Sequence, residues 1–184
     1  MAVESVAPPQ NHWPLRVRAA KPAPRGAVRT IRIGLLGVGQ VGQAVARLAA
    51  DRTALAHAGI RFRIEQALVR DVDKLRRCPK PARITSNPSA FLRGNYDVVV
   101  EALDTIEPAR TLVARLLGRG TSVVTANKAL VAEHGADLQA VAAARGAAFR
   151  FEATALSAVP FLGMLADRPF VSSVDRVLAI VYAF

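Results

Sequence analysis

Short apolar runs alternate with segments of helical periodicity over most of the chain. The predicted strands lie at residues 31–36, 62–69, 96–101, 121–125 and 148–152, and a last apolar run lies at 174–181. Apolar residues that recur every three to four positions predict helices at 40–50, near 88–93, at 108–117 and at 136–145. Strands that alternate with helices and are apolar throughout predict a parallel sheet covered on both faces. Right-handed crossovers then give a doubly wound α/β fold.

This pattern divides the chain into three segments. Residues 1–29 hold five prolines among alanines and arginines, show no periodicity, and are predicted to be a disordered basic extension. Residues 30–152 carry the alternating pattern and are predicted to form one domain. Residues 153–184 are predicted to be the start of a second domain that is truncated. The extension lacks the apolar core of a secretory signal, whereas a transit peptide stays open because the segment is basic.

The composition fits a globular protein of one ordinary domain. Of 184 residues, 52% are hydrophobic and 21% are charged, and no apolar run reaches the roughly 18 to 20 residues of a membrane span. The single cysteine, Cys78, excludes an intramolecular disulfide, so we expect a reducing cytoplasm and a surface thiol. The three histidines are scattered without metal-ligand spacing, so no zinc site is expected.

The formal net charge of +11 raises the question of nucleic-acid binding. Five cations lie in the first 29 residues, and beyond them 20 cations and 13 anions are spread along the chain. Because the cations do not gather in one stretch, no nucleic-acid partner is expected. General basicity that helps to attract an anionic cofactor is the simpler interpretation.

The candidate chemistry begins where the first predicted strand meets the first predicted helix. The six residues there match the G-x-G-x-x-G pattern of dinucleotide-binding turns: Gly37, Val38, Gly39, Gln40, Val41 and Gly42. In that pattern the first glycine permits a tight turn, the second leaves room for a pyrophosphate, and the third lets helix and strand approach closely. The helix amino terminus then offers unpaired amides to the phosphates. The six residues are therefore predicted cofactor contacts of a Rossmann-type domain, with a glycine-rich turn that binds nothing as the alternative.

The end of the second predicted strand is expected to select the ribose. Arg70 and Asp71 follow that strand, at more than the usual spacing of about 20 residues from the glycines, and a longer turn at 51–60 would absorb the excess. An acidic side chain accepts hydrogen bonds from a free 2′-hydroxyl, whereas an arginine can hold a 2′-phosphate. Both NAD and NADP therefore stay open, and we favour NADP through Arg70. A solvated turn pair without a ligand is the alternative.

Five stretches of the sequence resemble homoserine dehydrogenases, in the same order and spacing across residues 30–181. They are Ile31–Arg47, Ala67–Lys74, Tyr96–Arg110, Ser122–Gly135 and Phe151–Pro160. The Thr125-Ala126-Asn127-Lys128 tetrad is the most specific part of the likeness. The resemblance implies an oxidoreductase that interconverts aspartate 4-semialdehyde and homoserine with NAD(P), in threonine and methionine biosynthesis.

The same resemblance implies roles for single residues. It makes Lys128 the catalytic lysine, and it places Arg70, Thr125 and Asn127 with the glycine turn among the cofactor contacts. An ammonium just beyond a strand end can donate a hydrogen bond to an aldehyde oxygen and stabilise a developing alkoxide. From the residues alone, a helix N-cap at Asn127 followed by a first-turn lysine is the more common interpretation.

The sequence departs from the family pattern in three places. A glycine-rich run is missing after Glu152, so the family's backbone ion site there is not carried over and no metal is expected. Asp104 and Thr105 stand where the family has a Gly-Gly pair, so nicotinamide contacts are expected to differ. The family's Asn-Gly-Thr motif and its long substrate domain are absent before residue 184.

These departures shape the expected behaviour of the isolated chain. We expect it to bind cofactor with little or no turnover, because orientation within a complete pocket can supply roughly 7–11 kcal/mol of a reaction barrier. The apolar run Val177–Val181 is expected to favour a homodimer or self-association. A non-catalytic dinucleotide-binding module, or a redox-sensing partner subunit, is the alternative function.

Overall fold

The computed structural model describes residues 28–51, 59–74 and 76–151. The strands there are β1 (Arg29–Leu36), β2 (Ile60–Leu68), β3 (Arg83–Thr85), β4 (Val98–Glu101), β5 (Ser122–Thr125) and β6 (Phe149–Arg150). The helices are α1 (Gln40–Ala50), α2 (Pro88–Leu92), α3 (Ala109–Leu117) and α4 (Lys128–Ala144). Residues 1–27 of the predicted extension, the predicted second domain at 153–184 and its apolar run at 174–181 lie outside the described residues.

The six described strands form one parallel sheet in the order β3-β2-β1-β4-β5-β6. The chain starts at β1 in the middle, adds β2 and β3 on one side, and then crosses to add β4, β5 and β6 on the other. The predicted doubly wound α/β fold is thus confirmed. In such sheets the point where the strand order reverses, here between β1 and β4, opens a crevice at the carboxyl ends of the strands.

Two groups of buried side chains cover the two faces of this sheet. One group packs α2, α3 and α4 against residues such as Leu36, Val99 and Val123. The other packs α1 through Ala46 against Leu35 and neighbouring strand residues. Successive strand residues point to opposite faces, which is why the adjacent leucines 35 and 36 belong to different groups.

Helix α1 has the predicted bounds, but its fully buried positions differ from the apolar positions of the pattern. The periodicity rests on Val41, Ala44, Val45 and Leu48. The exposed fractions of Val41 and Leu48 are 49% and 67%, whereas Val45 is partly buried against the core group around Leu35. The buried positions of α1 are the small residues Gly42 and Ala46. Small residues allow the helix to lie close to the sheet, so the pattern located the helix correctly, while two of its four apolar positions are exposed.

Three other predictions need correction. Helix α4 begins at Lys128 and not at 136, because the Asn127 side chain caps it by accepting a hydrogen bond of 3.0 Å from the Leu130 amide. Strand β3 was not predicted, since it is a three-residue edge strand that pairs with β2 alone. Cys78 is half-buried against the core group around Leu35, so it is not a surface thiol.

The remaining boundaries differ by a few residues. Strands β2, β4 and β5 each end or begin within two residues of the prediction, and α2 ends one residue earlier. Helix α3 begins at Ala109, so Pro108 occupies the cap position and not the first turn. Strand β6 covers two of the five residues predicted at 148–152, of which residue 152 is outside the described part.

Among the described residues, no helix is long and apolar enough to cross a membrane.

Candidate functional site

The turn between β1 and α1 uses its three glycines in three different ways. Gly37 has a φ of +87°, a backbone conformation that favours glycine, and its amide donates a hydrogen bond of 2.9 Å to the Leu68 carbonyl. A Cβ at Gly42 would lie 2.2 Å from the Gly37 carbonyl oxygen, so no side chain fits there. A Cβ at Gly39 would meet no atom within 4 Å. The first and third glycines thus shape the turn, while the second faces open space.

The amino terminus of α1 is left without a side-chain cap. Gly39 occupies the cap position and makes no side-chain hydrogen bond, and the first turn of the helix contains no acidic residue. Gln40 and Val41 are exposed, whereas Val38 is buried in the core. Unpaired amides and the positive end of the helix dipole therefore meet the open space beside Gly39. This cradle fits a pyrophosphate.

In the loop after β2, Arg70 is exposed and the side chain of Asp71 stabilises the turn. Asp71 Oδ1 accepts hydrogen bonds from the amides of residues 73 and 74, at 2.9 and 3.2 Å. The Arg76 guanidinium donates to the carbonyl oxygens of Asp71 and Lys74. Arg70 is exposed and makes no hydrogen bond or ion pair with the described residues. The two neighbours thus differ, because one carboxylate oxygen of Asp71 is used within the turn whereas the Arg70 side chain is free to contact a ligand.

This loop is also attached to α1. Gln43 Oε1 accepts a hydrogen bond of 3.0 Å from the Arg77 amide, and the Arg47 guanidinium donates one of 3.1 Å to the Arg77 carbonyl. Gln43 lies one turn into the helix whose amino terminus forms the cradle. The loop that carries Arg70 is therefore fixed relative to the glycine turn.

A buried polar network lies at the carboxyl ends of β4 and β5. The side chains of Glu101 and Thr125 are fully buried, and Asn127 is 5% exposed. The Thr125 hydroxyl donates a short hydrogen bond to Glu101 Oε2, and the Leu103 amide donates one of 2.7 Å to Glu101 Oε1. Burial raises the pKa of the Glu101 carboxyl above its ordinary value, while hydrogen bonds from Thr125, Leu103 and Asn127 act in the opposite direction.

Asn127 extends this network into the next helix. Its amide donates a hydrogen bond of 3.0 Å to the Thr125 hydroxyl oxygen, and its Nδ2 donates one of 2.8 Å to the Thr105 carbonyl. Its Oδ1 caps α4, whose first residue is the exposed Lys128. The two predicted cofactor contacts Thr125 and Asn127 thus use their side chains on other protein groups, and the backbone amide of Asn127 is engaged as well.

The predicted site residues fall into two groups across the sheet. The glycine turn and the loop with Arg70 and Asp71 lie at the ends of β1 and β2, whereas Thr125, Asn127 and Lys128 lie at the end of β5. Strands β1 and β4 separate β2 from β5. All these residues follow the carboxyl ends of parallel strands, so they line one edge of the sheet on both sides of the crevice.

Sequence reasoning missed Glu101 as a member of the site. The available signal was a carboxylate directly after the three valines of β4, at the end of a strand that is otherwise apolar. Acidic side chains are seldom fully buried without partners. Within the described residues, no three His, Cys, Asp or Glu side chains gather in a way that could hold a metal ion.

Comparison with known proteins finds relatives that match most of the described residues. Residues 37–152 match the family model described as homoserine dehydrogenase, NAD binding domain. The homoserine dehydrogenase of Corynebacterium glutamicum is 37% identical over 160 residues, which cover 85% of this chain and 36% of that protein. The chain therefore spans about a third of the length of the curated relatives it matches.

Solved structures agree with the sequence match. The homoserine dehydrogenase of Thiobacillus denitrificans superimposes with a TM-score of 0.68 at 36% identity, over 76% of this chain and 33% of that one. A hyperthermophilic archaeal homoserine dehydrogenase, solved in complex with NADPH, gives a TM-score of 0.55 at 20% identity, over 74% of this chain and 48% of that one. The second likeness is one of fold.

Proposed function

The chain belongs to the homoserine dehydrogenase family, and from that premise we propose that it forms the cofactor-binding part of an enzyme that interconverts aspartate 4-semialdehyde and homoserine with NADP. The observation that carries the proposal is the placement of Lys128. It is exposed at the amino end of α4, at the same sheet edge as the open cradle beside Gly39. A dinucleotide held by that cradle lies within the crevice that Lys128 borders.

The proposed roles follow from the chemistry of each group. Amides at the start of α1 hold the pyrophosphate, and Arg70 holds the 2′-phosphate in charge-assisted hydrogen bonds. A nicotinamide cofactor held in this way would supply the hydride that the aldehyde carbon takes up. Lys128 Nζ donates a hydrogen bond to the aldehyde oxygen, stabilises the alkoxide that forms there, and transfers its proton to that oxygen to give the hydroxyl of homoserine.

Two features favour NADP over NAD. The Arg70 guanidinium is exposed and makes no hydrogen bond or ion pair within the described part of the chain, whereas Asp71 uses one carboxylate oxygen in its own turn. An arginine without a hydrogen bond or ion pair to the described residues suits a 2′-phosphate better than a partly engaged carboxylate suits a 2′-hydroxyl.

The test of the activity replaces the matching third of the Corynebacterium glutamicum homoserine dehydrogenase by this chain. The chimera is assayed for homoserine-dependent reduction of NADP, and Lys128→Ala is expected to lower kcat by about 10²–10⁴-fold, the usual contribution of a proton-transferring group. Lys80→Ala is the matched control, because Lys80 is also exposed but lies between β2 and β3.

Equal turnover in the two lysine variants would contradict the role of Lys128. A chimera that binds NADPH without any turnover would favour the non-catalytic module. For the isolated chain we expect NADPH binding with turnover far below the roughly 10 per second of an ordinary enzyme.

A further inference from the structure

Glu101 is a buried carboxylate whose role the proposed reaction leaves open. Its side chain is fully buried at the end of β4. The groups that hydrogen-bond its two oxygens among the described residues are uncharged: the Thr125 hydroxyl, the Leu103 amide and the side chain of Asn127. Burying a carboxylate without a cation is costly, and this cost is offset only in part by such hydrogen bonds. A residue kept at such a cost calls for a functional explanation.

The two oxygens of Glu101 hold two different loops. Oε1 accepts from the Leu103 amide and so fixes the start of the loop that follows β4. Oε2 accepts from the Thr125 hydroxyl, which leaves the Thr125 oxygen free to accept from the Asn127 amide. Because a carboxylate only accepts, it sets the direction of the hydrogen bonds along this chain of groups.

The two loops are also joined to each other and to the glycine turn. The Asn127 amide group reaches the Thr105 carbonyl at 2.8 Å, and the Ala126 amide donates to the Glu101 carbonyl at 2.9 Å. The Ala102 carbonyl oxygen lies 2.6 Å from the position that a Cβ would take on Gly37. The backbone between residues 102 and 105 is therefore held from both sides.

The strand order says which part of a dinucleotide meets these loops. In this fold the pyrophosphate lies at the turn after β1 and the adenosine ribose lies at the end of β2. Strands β4 and β5 lie on the other side of β1. The nicotinamide half, which extends away from the adenosine, must therefore lie over the ends of β4 and β5.

We propose that Glu101 is a positioning residue that holds residues 102–105 and the Thr125–Lys128 turn in the shape that receives the nicotinamide half of the cofactor. The inference rests on the proposed function, because it needs a dinucleotide in the crevice. The chain has Asp104 and Thr105 where the family pattern has a Gly-Gly pair, and the Thr105 carbonyl is held by the side chain of Asn127.

The test compares two ligands on the full 184-residue chain by isothermal titration calorimetry. NADPH covers both halves of the crevice, whereas adenosine 2′,5′-bisphosphate covers the adenosine half alone. Thr125→Val removes the hydroxyl that links Glu101 to Asn127 while keeping the shape of the side chain. We expect NADPH to bind about tenfold or more weakly, the usual effect of losing a hydrogen bond to a charged group, with the bisphosphate unchanged. Thr125→Ser restores the hydroxyl and should restore NADPH binding.

Each other outcome overturns a specific statement. If Thr125→Val weakens both ligands equally, or neither, Glu101 and Thr125 do not position the nicotinamide half. If Thr125→Val does not fold, Glu101→Gln is measured in the same way, since glutamine keeps the size and can accept at only one of the two positions. Equal effects on both ligands there would again overturn the proposal. A wild-type chain that binds neither ligand would instead overturn the proposed function itself.

Discussion

The two sides of the crevice are prepared for a ligand by opposite means. At the ends of β1 and β2 the chain removes side chains, so that Gly39 leaves open space and the amides of α1 stay uncovered. At the ends of β4 and β5 it adds polar side chains and buries them, so that Glu101 and Thr125 bind each other beneath the backbone. On the first side the backbone amides of α1 are directly open to a ligand. On the second side the backbone is held in place by the buried side chains that pack beneath it.

This difference predicts two kinds of failure. On the glycine side, a substitution at Gly39 can block the ligand and leave the fold intact, because the new atoms enter empty space. On the Glu101 side, a substitution changes buried hydrogen bonds and so affects both stability and ligand binding. The following experiments test that separation, from the largest expected effect to the smallest.

Gly39→Asp should abolish cofactor binding without unfolding the protein. Aspartate is a favoured N-cap residue, so α1 is kept, but its carboxylate occupies the cradle and repels the pyrophosphate. We expect NADPH to bind more than about 100-fold more weakly, which corresponds to about 2.8 kcal/mol, by calorimetry. Ser89→Asp is the control, because it adds the same charge to the first turn of α2. Similar losses in the two variants would attribute the effect to net charge.

Arg70→Ala tests whether the adenosine side of the crevice distinguishes NADPH from NADH. We expect NADPH binding to weaken by about 1.5–3 kcal/mol, the range for hydrogen bonds to charged groups, and NADH binding to change little. Arg61→Ala serves as the control, because it removes the same charge from the amino-terminal end of β2, the strand that precedes Arg70. A loss of equal size for NADPH and NADH would mean that Arg70 does not select the 2′-phosphate.

Gly42→Ala asks whether the glycines are equivalent. The Cβ would lie 2.2 Å from the Gly37 carbonyl oxygen, so we expect the free energy of unfolding to fall by about 1–3 kcal/mol, as in overpacked cores. Gly135→Ala makes the same change inside α4, where the nearest atom is 3.3 Å away, and should alter stability by less than about 1 kcal/mol. Chemical denaturation measures both, and equal values would refute the close-approach explanation.

The smallest expected effect is a pH dependence on the Glu101 side. Burial raises the folded-state pKa of Glu101, so its contribution to stability is fully present below its ordinary pKa of 4.5 and is lost as pH rises through the folded value. The free energy of unfolding of wild type relative to Glu101→Gln should therefore decrease as pH rises above 4.5, in denaturation curves at several pH values.

Asp97 provides a control of opposite sign. The hydrogen bond from Arg32 lowers the pKa of Asp97 below its ordinary 3.8, so its contribution is present above that value and is lost as pH falls below it. Wild type should thus lose stability relative to Asp97→Asn at acidic pH. A constant difference for Glu101→Gln across the pH range would contradict the burial effect.

The sequence predicted the glycine side better than the Glu101 side for a physical reason. Steric requirements at Gly37 and Gly42 act between neighbours in the chain, so they leave a local pattern that a reader can recognise. The partners of Glu101 lie on another strand, 24 positions away in the case of Thr125. The local sequence of β4 does not indicate that Thr125 is the partner of Glu101. Only the pairing of β4 with β5 brings the two residues together.

Local patterns also misled where short or small residues decide the structure. Gly42 and Ala46 face the sheet because their small size permits close packing, although a hydrophobic pattern favours Val41 and Leu48 for that place. Periodicity alone placed the start of α4 at 136, eight residues too late. The alternative interpretation of Asn127 as an N-cap, drawn from the residues alone, gave the correct start. The strand β3 has three residues, too few to show any period.

The loop after β2 has a consequence for how such a protein changes over evolutionary time. Its shape depends on Asp71 and Arg76, and its attachment to α1 depends on Gln43 and Arg47. None of these hydrogen bonds involves the side chain of Arg70. Under the proposed role of Arg70 in holding the 2′-phosphate, a single codon change at position 70 would therefore alter cofactor preference while leaving the hydrogen bonds of this loop in place.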